Sequence, residues 1–457
     1  MNTDTIAAIA TGMGNAGIGI VRISGDRAFA ILKEIFQRPG QALPDPSQGY
    51  RVYYGYIEDA GEKLDEVLVL LMKGPHSYTA EDTVEIDCHG GSWVMQKILD
   101  TVIRHGARPA EPGEFTKRAF LNGRIDLTQA EAVMDVIRAE NEYARQNSMR
   151  QLEGQLSGKV RKLREAILYE IAYIESALDD PEHISLEGYP EKLREKLEKM
   201  TEELNRLIRS SDNGRIMKEG IRTVILGKPN AGKSSLLNLL LGENRAIVTE
   251  IAGTTRDTLE EHLLLDGLQL NLVDTAGIRD TGDPVEKIGV ERARQEAERA
   301  DLLIYLADAS RPADENDEEI MKLISGRKAL ILLNKSDLPM VLSEEELRRK
   351  TGLPVITVSV KEKTGIESIA ETVKKMFFAG EISCNDEIMI TNLRHKTALT
   401  ESLNSLNMVV DSILQGMPED FFSIDLMNAY EQLGRIIGEA VEDDLVNEIF
   451  SKFCTGK

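Results

Sequence analysis

Apolar and polar residues alternate in short runs through the first part of the chain. Runs with a period of two, such as GIGIVRIS, EVLVLLM and DTVEIDCHG, predict strands. Runs with helical spacing, RAFAILKEIF and WVMQKILDTVIRHG, lie between them and are bounded by Gly and Pro clusters. The pattern predicts a compact α/β or α+β domain over residues 1–120, in which we expect Trp93 to lie in the core.

The period then becomes helical over a long stretch, which continues into a second amphipathic helix at PEKLREKLEKMTEELNRLIRSS. From about Ile221 to Phe378, buried-strand runs such as RTVILG, DLLIYLAD and KALILLN alternate with helical segments, which indicates a parallel doubly wound sheet. The remainder is helical again. We therefore predict a multidomain α/β protein with a helical domain in two parts, residues 121–219 and 380–457, and an α/β domain of residues 220–379 inserted between them.

Composition narrows the class of protein. The length of 457 residues suggests about three domains, and 42% hydrophobic with 29% charged residues is typical of globular proteins. The chain lacks a bilayer-length apolar run and a signal-peptide pattern, so we expect a cytoplasmic protein with no membrane partner. A formal charge of −22 argues against bulk electrostatic coating of nucleic acid, but not against a local basic surface that docks a structured RNA. Three cysteines without a CxxC pair indicate neither a disulfide framework nor a thiolate zinc site.

GKPNAGKS, residues 227–234, matches the phosphate-binding pattern GxxxxGK[ST]. It follows the apolar strand RTVIL and precedes the helix SSLLNLLLG, which is the context that the motif requires. Glycines allow backbone N–H groups to surround the phosphates, Lys233 contacts the β- and γ-phosphates, and the Ser234 hydroxyl reaches Mg²⁺. We predict nucleotide contacts from Asn230, Ala231, Gly232, Lys233, Ser234 and Ser235.

Two later segments point to the γ-phosphate and its metal ion. LNLVDTAG puts Asp274 at the end of an apolar strand, where its carboxylate holds Mg²⁺ through water, and AIVTEIAGTTRD supplies Thr255 as a further Mg²⁺ ligand. In many GTPases a glutamine directly after DTAG orients the attacking water, whereas this chain has Ile278 there. Another group must therefore act on the water. Further nucleotide contacts are predicted from Thr249, Thr254, Thr275, Ala276 and Gly277.

The base is predicted to be guanine. LILLNKSD places Asn334, Lys335 and Asp337 at the end of a buried strand. A carboxylate there accepts hydrogen bonds from two guanine N–H groups, which adenine cannot offer. Ser359, in TVSVKEKTG, belongs to a loop that we expect to close over the base.

Together, the GKPNAGKSS, IAGTTRD, DTAGIR and NKSD motifs, with VRISG and HGG near the start and CTGK at the end, resemble the MnmE (TrmE) family of tRNA-modification GTPases along the whole chain. The resemblance implies an N-terminal tetrahydrofolate-binding domain, a helical domain and an inserted G domain that dimerises in the presence of potassium. It also implies a homodimer that works with a flavin-dependent partner, MnmG (GidA), in a heterotetramer or larger complex. That complex adds an aminomethyl or carboxymethylaminomethyl group to C5 of the wobble uridine of tRNA.

The resemblance also assigns the residues that the motifs leave open. It implies that Glu286 positions the hydrolytic water. It implies that K⁺ is held by the Asn230 side chain, backbone carbonyls of Thr249 and Ile251, and Thr254. A monovalent cation there stabilises charge on the transferred phosphoryl group as an arginine finger does elsewhere.

For the folate derivative, the resemblance assigns binding to Arg22, Glu81, Arg124 and Lys457. Guanidinium groups suit glutamyl carboxylates, and a carboxylate suits the donor edge of a pterin. The resemblance further implies that the tail FCTGK folds toward this site and brings Cys454 and Lys457 to the one-carbon unit. Cys454 is then either a covalent catalyst or a packing residue, since an unperturbed thiol is mostly protonated at neutral pH.

Two alternatives remain open at this stage. One is a GTP-dependent switch or assembly factor without a direct role in RNA modification, which would usually bring a second phosphate loop or a basic appendage. The other is a folate-dependent one-carbon transferase whose G domain is purely regulatory. The leading interpretation is an enzyme that hydrolyses GTP, with Lys233, Glu286 and Cys454 as its catalytic residues.

Overall fold

The computed structural model describes residues 4–40, 50–244, 261–273, 295–378, 388–439, 441 and 443–456. The chain forms two compact units. The first comprises Met1–Ile137, Gln151–Leu186 and Gly416–Lys457, and the second comprises Arg138–Arg150 and Glu187–Gln415. In the described ranges, none of the helices is both long enough and apolar enough to cross a membrane.

The first unit has a seven-stranded sheet at its centre. Its strands are β1 (Ile6–Ile9), β2 (Ala16–Ser24), β3 (Phe36–Gln37), β4 (Arg51–Asp59), β5 (Glu62–Met72), β6 (Thr83–Gly90) and β7 (Arg108–Pro109). They lie in the order β3-β4-β5-β6-β2-β1-β7, with antiparallel neighbours except for the parallel pair β1 and β7. Because side chains alternate along a strand, Val21, Ile23, Val84 and Ile86 share one buried face.

Helices cover that face and extend the unit. They are α1 (Ala28–Ile35), α2 (Ser92–Arg104), α3 (Glu114–Leu121), α4 (Leu127–Ile137) and α6 (Gln155–Asp179), with α13 (Asp420–Ile437) and α14 (Asp443–Ser451) from the end of the chain. Helix α2 buries Met95, Ile98 and Val102 against the sheet. Trp93 is 72% exposed, so its predicted core position is wrong. Two helical residues turn through about 200°, which puts Trp93 opposite Met95, under the ammonium of Lys97.

The second unit has a six-stranded sheet. Its strands are β8 (Ile221–Leu226), β9 (Glu261–Leu265), β10 (Leu268–Leu272), β11 (Leu302–Asp308), β12 (Ala329–Asn334) and β13 (Val355–Thr357), in the order β13-β12-β11-β8-β10-β9. All neighbours are parallel except β9 and β10. Ile304 and Leu306 of β11 pack into one apolar core, whereas Leu303 and Tyr305 pack into another. Both faces are thus buried, which confirms the predicted doubly wound sheet.

The helices of the second unit are α5 (Glu142–Leu152, most of which lies in this unit), α7 (Tyr189–Glu219), α8 (Lys233–Asn244), α9 (Glu315–Ile324), α10 (Glu344–Thr351), α11 (Glu367–Phe378) and α12 (Leu393–Leu414). Two asparagine side chains hold the backbone on either side of the segment that forms the six-stranded sheet. The Asn141 side-chain amide donates to the carbonyl of Met217 at 2.9 Å, and Asn147 exchanges two hydrogen bonds with the backbone of Met389. The predicted limits of the helical and inserted domains stay a prediction.

Candidate functional site

The loop between β8 and α8 has the backbone geometry of a phosphate-binding loop. Gly227 has φ +155°, and a Cβ there would lie 2.6 Å from the carbonyl oxygen of Leu306. Gly232 has φ +102°, and its Cβ would lie 2.5 Å from Nδ2 of Asn334. Both positions therefore require glycine. The loop leads directly into the N-terminus of α8, where the helix dipole favours an anion.

Lys233 is held across this loop. Its Nζ donates to the carbonyl oxygens of Gly227 at 2.5 Å and Lys228 at 2.9 Å. Asn230 has φ +63°, a left-handed conformation that asparagine tolerates better than most residues. Ser234 and Ser235 follow in the first turn of α8 and are exposed. The described loop thus brings together the six phosphate-contact residues predicted from the sequence.

Asn334 links this loop to the segment that follows β13. The Asn334 side chain is 3% exposed. Its Nδ2 donates to the carbonyl of Ala231 at 2.9 Å, and its Oδ1 accepts from the N–H of Val360 at 3.1 Å. Both the NH₂ group and the oxygen of the Asn334 amide are thus hydrogen-bonded to backbone groups. Asn334 therefore fixes the position of the phosphate loop relative to the segment that follows β13.

The next residues of the NKSD motif place charged side chains just beyond the carboxyl end of β12. Lys335 has φ +68°, and its ammonium lies 2.7 Å from the Asp308 carboxylate at the end of β11. Burial raises the pKa of Asp308, but the hydrogen bonds from Lys335 and Ser310 together outweigh it and keep that pKa below its usual range. Asp337 accepts from the Ser359 hydroxyl at 2.8 Å, and this bond lowers the pKa of the Asp337 carboxyl. Asp337 is therefore ionised at neutral pH and acts as an acceptor only.

A second group of predicted residues lies in the first unit, around the ring of Tyr78. The guanidinium of Arg22 lies 5.2 Å from the ring centroid and that of Arg124 lies 4.7 Å from it. Arg22 is paired with Glu85 at 2.7 Å. Arg124 is exposed, and in the described part of the chain its guanidinium meets no carboxylate. The structure brings Arg22 and Arg124 to one aromatic side chain, although they lie 102 positions apart in the sequence.

Glu81, three positions after Tyr78, belongs to a partly buried ion-pair network. It accepts from the Ser24 hydroxyl at 2.8 Å and from Arg118 at 3.1 Å. Arg118 also contacts Glu114 at 3.0 Å, and Arg108 forms two bonds to the same carboxylate. Burial raises the pKa of Glu114, but the hydrogen bonds from Arg108, the Glu111 N–H and Arg118 together outweigh it and hold that pKa below its usual range. The carboxylates of the network are thus matched by arginines.

The end of the chain packs against the same region. The carbonyl of Cys454 accepts from the N–H of Gly113 at 3.2 Å, and the carbonyl of Gly456 accepts from Arg22 at 3.3 Å. Gly456 is buried, whereas the thiol-bearing Cys454 is exposed. Phe450 and Phe453 anchor this tail in an apolar cluster with residues of α3 and α4. The described part of the tail therefore reaches Arg22.

Several predicted residues lie outside the described part of the chain. They are Thr249, Ile251, Thr254, Thr255, Asp274, Thr275, Ala276, Gly277, Ile278, Glu286 and Lys457. Their roles in binding Mg²⁺, K⁺, water, γ-phosphate and folate stay predictions.

Sequence comparison decides the family. Residues 5–124 match the family described as GTP-binding protein TrmE N-terminus, and residues 127–454 match the family described as MnmE helical domain. The tRNA modification GTPase MnmE of Lachnoclostridium phytofermentans is 60% identical over 458 aligned positions, which cover 100% of both chains. The chain belongs to the MnmE family of tRNA modification GTPases.

Other MnmE proteins are similar in sequence to this chain over nearly their whole length. The tRNA modification GTPase MnmE of Alkaliphilus metalliredigens is 48% identical, and that of Clostridioides difficile is 46% identical, each over 99% of both chains. The family recognised from the motifs, the enzyme class of GTPase and the role in tRNA modification are therefore confirmed.

In each unit the structure places further residues beside the predicted ones, which the motifs did not reveal. Tyr78, Glu85 and Arg118 surround the predicted Arg22 and Glu81, and Asp308 holds Lys335. Their nearest sequence signals are weak: Tyr78 lies in YTAED beside Glu81, and Asp308 ends the apolar run DLLIYLAD. Single charged or aromatic residues of this kind are usual on protein surfaces.

Proposed function

We propose that this MnmE-family protein hydrolyses GTP with K⁺ and Mg²⁺ as cofactors. In a cytoplasmic complex with a flavin-dependent partner of the MnmG type, it modifies C5 of the wobble uridine of tRNA. The observation that carries the nucleotide part is the Asn334 side chain, which joins the glycine-dependent phosphate loop to the segment that holds Ser359. The ionised Asp337 beside Ser359 supports guanine as the base. In this proposal, phosphate binding and base selection both depend on residues that follow the carboxyl ends of neighbouring strands.

Two ions complete the proposed phosphate site. Ser234, with Thr255 and Asp274, would hold Mg²⁺, which polarises the phosphates. The side-chain oxygen of Asn230, with Thr249, Ile251 and Thr254, would hold K⁺. Asn230 fits this role because its left-handed backbone is part of the phosphate loop itself. Glu286 would orient the attacking water in place of the glutamine that Ile278 replaces.

The ion assignment is tested by the salt dependence of turnover. GTP hydrolysis should be much faster in KCl than in NaCl at equal ionic strength. Equal rates would reject the potassium site. Glu286→Ala should slow turnover with little change in GTP affinity, because an interaction made only in the transition state affects rate alone. A parallel loss of affinity would make Glu286 a structural residue.

A tetrahydrofolate derivative is the proposed one-carbon donor, bound near Tyr78 by Arg22, Glu81, Arg124 and Lys457. The charges of the described residues distinguish their roles. Arg22 already has Glu85 as a partner, and Glu81 is paired with Arg118. Arg124 is exposed and has no carboxylate partner in the described ranges, so it is the arginine best suited to a glutamyl carboxylate.

A second copy of the chain is the proposed occupant of the open face of the seven-stranded sheet. On this face Ile18, Val52, Tyr54 and Leu68 are 65%, 60%, 52% and 45% exposed, so these four large side chains are uncovered in a single chain. Pairing two copies there would also raise the effective concentration of their G domains for potassium-dependent dimerisation. The net charge of −22 means that tRNA must meet a local basic surface.

The modification itself is tested by mass analysis of wobble nucleosides from a deletion strain that carries either an empty plasmid or this gene. We expect the modified nucleoside to disappear in the deletion strain and to return with the gene. Normal nucleosides in the deletion strain would favour a switch or assembly factor instead. Restoration by a variant that cannot hydrolyse GTP would favour a one-carbon transferase with a regulatory G domain.

A further inference from the structure

The second residue of the phosphate loop, Lys228, is tethered away from the phosphate site. Its ammonium lies 2.8 Å from the carboxylate of Asp314 and 2.6 Å from that of Asp317, both at the N-terminus of α9. Asp317 is 5% exposed. Its Oδ1 accepts from the buried hydroxyl of Tyr305 at 2.6 Å, and its Oδ2 accepts from the N–H of Asp314 at 2.9 Å.

Helix capping alone does not explain this arrangement. Asp314 and Asp317 already form a complete capping box, in which each side chain accepts from the other residue's backbone N–H. A cation at a helix N-terminus opposes the helix dipole. Lys228 is therefore stabilised by the two carboxylates despite the dipole, and its tether joins the phosphate loop to β11 and α9.

The backbone of Lys228 continues this connection to the phosphate-binding lysine. The carbonyl of Lys228 accepts from Nζ of Lys233 at 2.9 Å, beside the carbonyl of Gly227. One residue thus has its side chain fixed to α9 and its carbonyl fixed to Lys233. Without the Lys228 ion pairs, the first half of the loop would be less restrained. Its neighbours Gly227 and Pro229 have no charged side chain that could form an ion pair instead.

We propose that Lys228 is a positioning residue for GTP hydrolysis, which holds the phosphate loop through Asp317 so that Lys233 is presented to the phosphates. This proposal rests on the proposed nucleotide site. With its ammonium held by Asp314 and Asp317, Lys228 is not among the residues proposed to contact the base or the transferred group. Its loss should therefore weaken nucleotide binding through the phosphates and leave the choice of base unchanged.

The test measures the affinity of the full chain for GDP and for IDP in three variants. Lys228→Met should weaken GDP binding about tenfold, equivalent to about 1.4 kcal/mol, with an unchanged ratio of GDP to IDP affinity. Lys228→Arg should restore most of the affinity. Lys350→Met is the matched control, because Lys350 pairs at 3.0 Å with Glu318 on the same helix but at an exposed position.

A double-mutant cycle separates positioning from general stability. Lys228→Met should have little further effect on GDP affinity in a background that carries both Asp314→Asn and Asp317→Asn, because both carboxylates of the tether are then removed. Additive losses, or a Lys228→Met variant that binds as Lys350→Met does, would overturn the proposal. If Lys228→Met does not fold, Lys228→Gln takes its place in the same cycle. Lys233→Ala distinguishes failure of the proposed nucleotide site from failure of the tether. Normal GDP binding by Lys233→Ala would reject the nucleotide site itself. Weakened GDP binding by Lys233→Ala together with normal GDP binding by Lys228→Met would reject the tether alone.

Discussion

Substituting Gly456 tests whether the docked tail serves RNA modification separately from GTP hydrolysis. A Cβ at this position would lie 2.5 Å from the carbonyl oxygen of Ile9 and 2.6 Å from Cα of Ala10. Both neighbours are backbone atoms at the end of β1, so they cannot swing aside as a side chain would. Overpacking of this kind costs about 1–3 kcal/mol. Gly456→Ala should therefore oppose tail docking directly.

The expected size follows from the polar contacts that hold the tail. Two described hydrogen bonds fix its last residues, one from Gly113 to Cys454 and one from Arg22 to Gly456. A neutral bond contributes about 1 kcal/mol and one to a charged group about 1.5–3 kcal/mol. A clash of about 2 kcal/mol is comparable with either bond and corresponds to about a thirtyfold change in the docking equilibrium. Phe450 and Phe453 lie before the clash, so the helix that precedes the tail should stay packed.

Three measurements decide the outcome. Hydrogen exchange at the amide of Gly113 should become about thirtyfold faster, wobble-uridine modification should fall sharply, and GTP hydrolysis in KCl should remain near that of the unmodified chain. Gly158→Ala is the matched control, since no atom lies within 4 Å of a Cβ at that helical position. Unchanged exchange would refute the steric argument. Faster exchange with full modification would show that docking of the tail is not needed for the chemistry.

Three further predictions concern charge and burial. Asp337→Asn should weaken GTP binding at least about tenfold and admit xanthine nucleotides, measured by competition with labelled GDP; unchanged GTP affinity would remove the basis for guanine selection. Burial raises the pKa of Glu114, but its hydrogen bonds and arginine partners lower it by more, so the net folded pKa is below the unfolded value of about 4.3. The contribution of Glu114 to folding stability is therefore complete above that unfolded pKa and is lost as pH falls through the lower folded pKa. Arg118→Met should accordingly cost about 3–5 kcal/mol at pH 7 and less near pH 4, where the carboxylate can protonate, measured by denaturant unfolding; a constant difference would contradict this pairing. Burial raises the pKa of Cys88 to about 11, so at pH 8 iodoacetamide should label exposed Cys454 and spare Cys88 in peptide mass maps, and equal labelling would contradict the described burial.

The sequence by itself determined the nucleotide loop, because its requirements are local. Gly227 and Gly232 adopt backbone angles that other residues avoid, and the strand before them and the helix after them follow from short apolar patterns. The continuous apolar run of β11 likewise predicted a sheet buried on both faces. Such features depend on neighbours within a few residues, so a single sequence carries them.

Only the tertiary structure decided which distant side chains share one environment. Arg22 and Gly456 are hydrogen-bonded across 434 positions of sequence, and Arg124 joins Arg22 at Tyr78 through the packing of α3 and the strands. The exposure of Trp93 depends on which side of α2 meets the sheet, and apolar character alone does not specify that side. Long-range contacts of this kind arise from the balance of packing over the whole unit, and no local pattern records them.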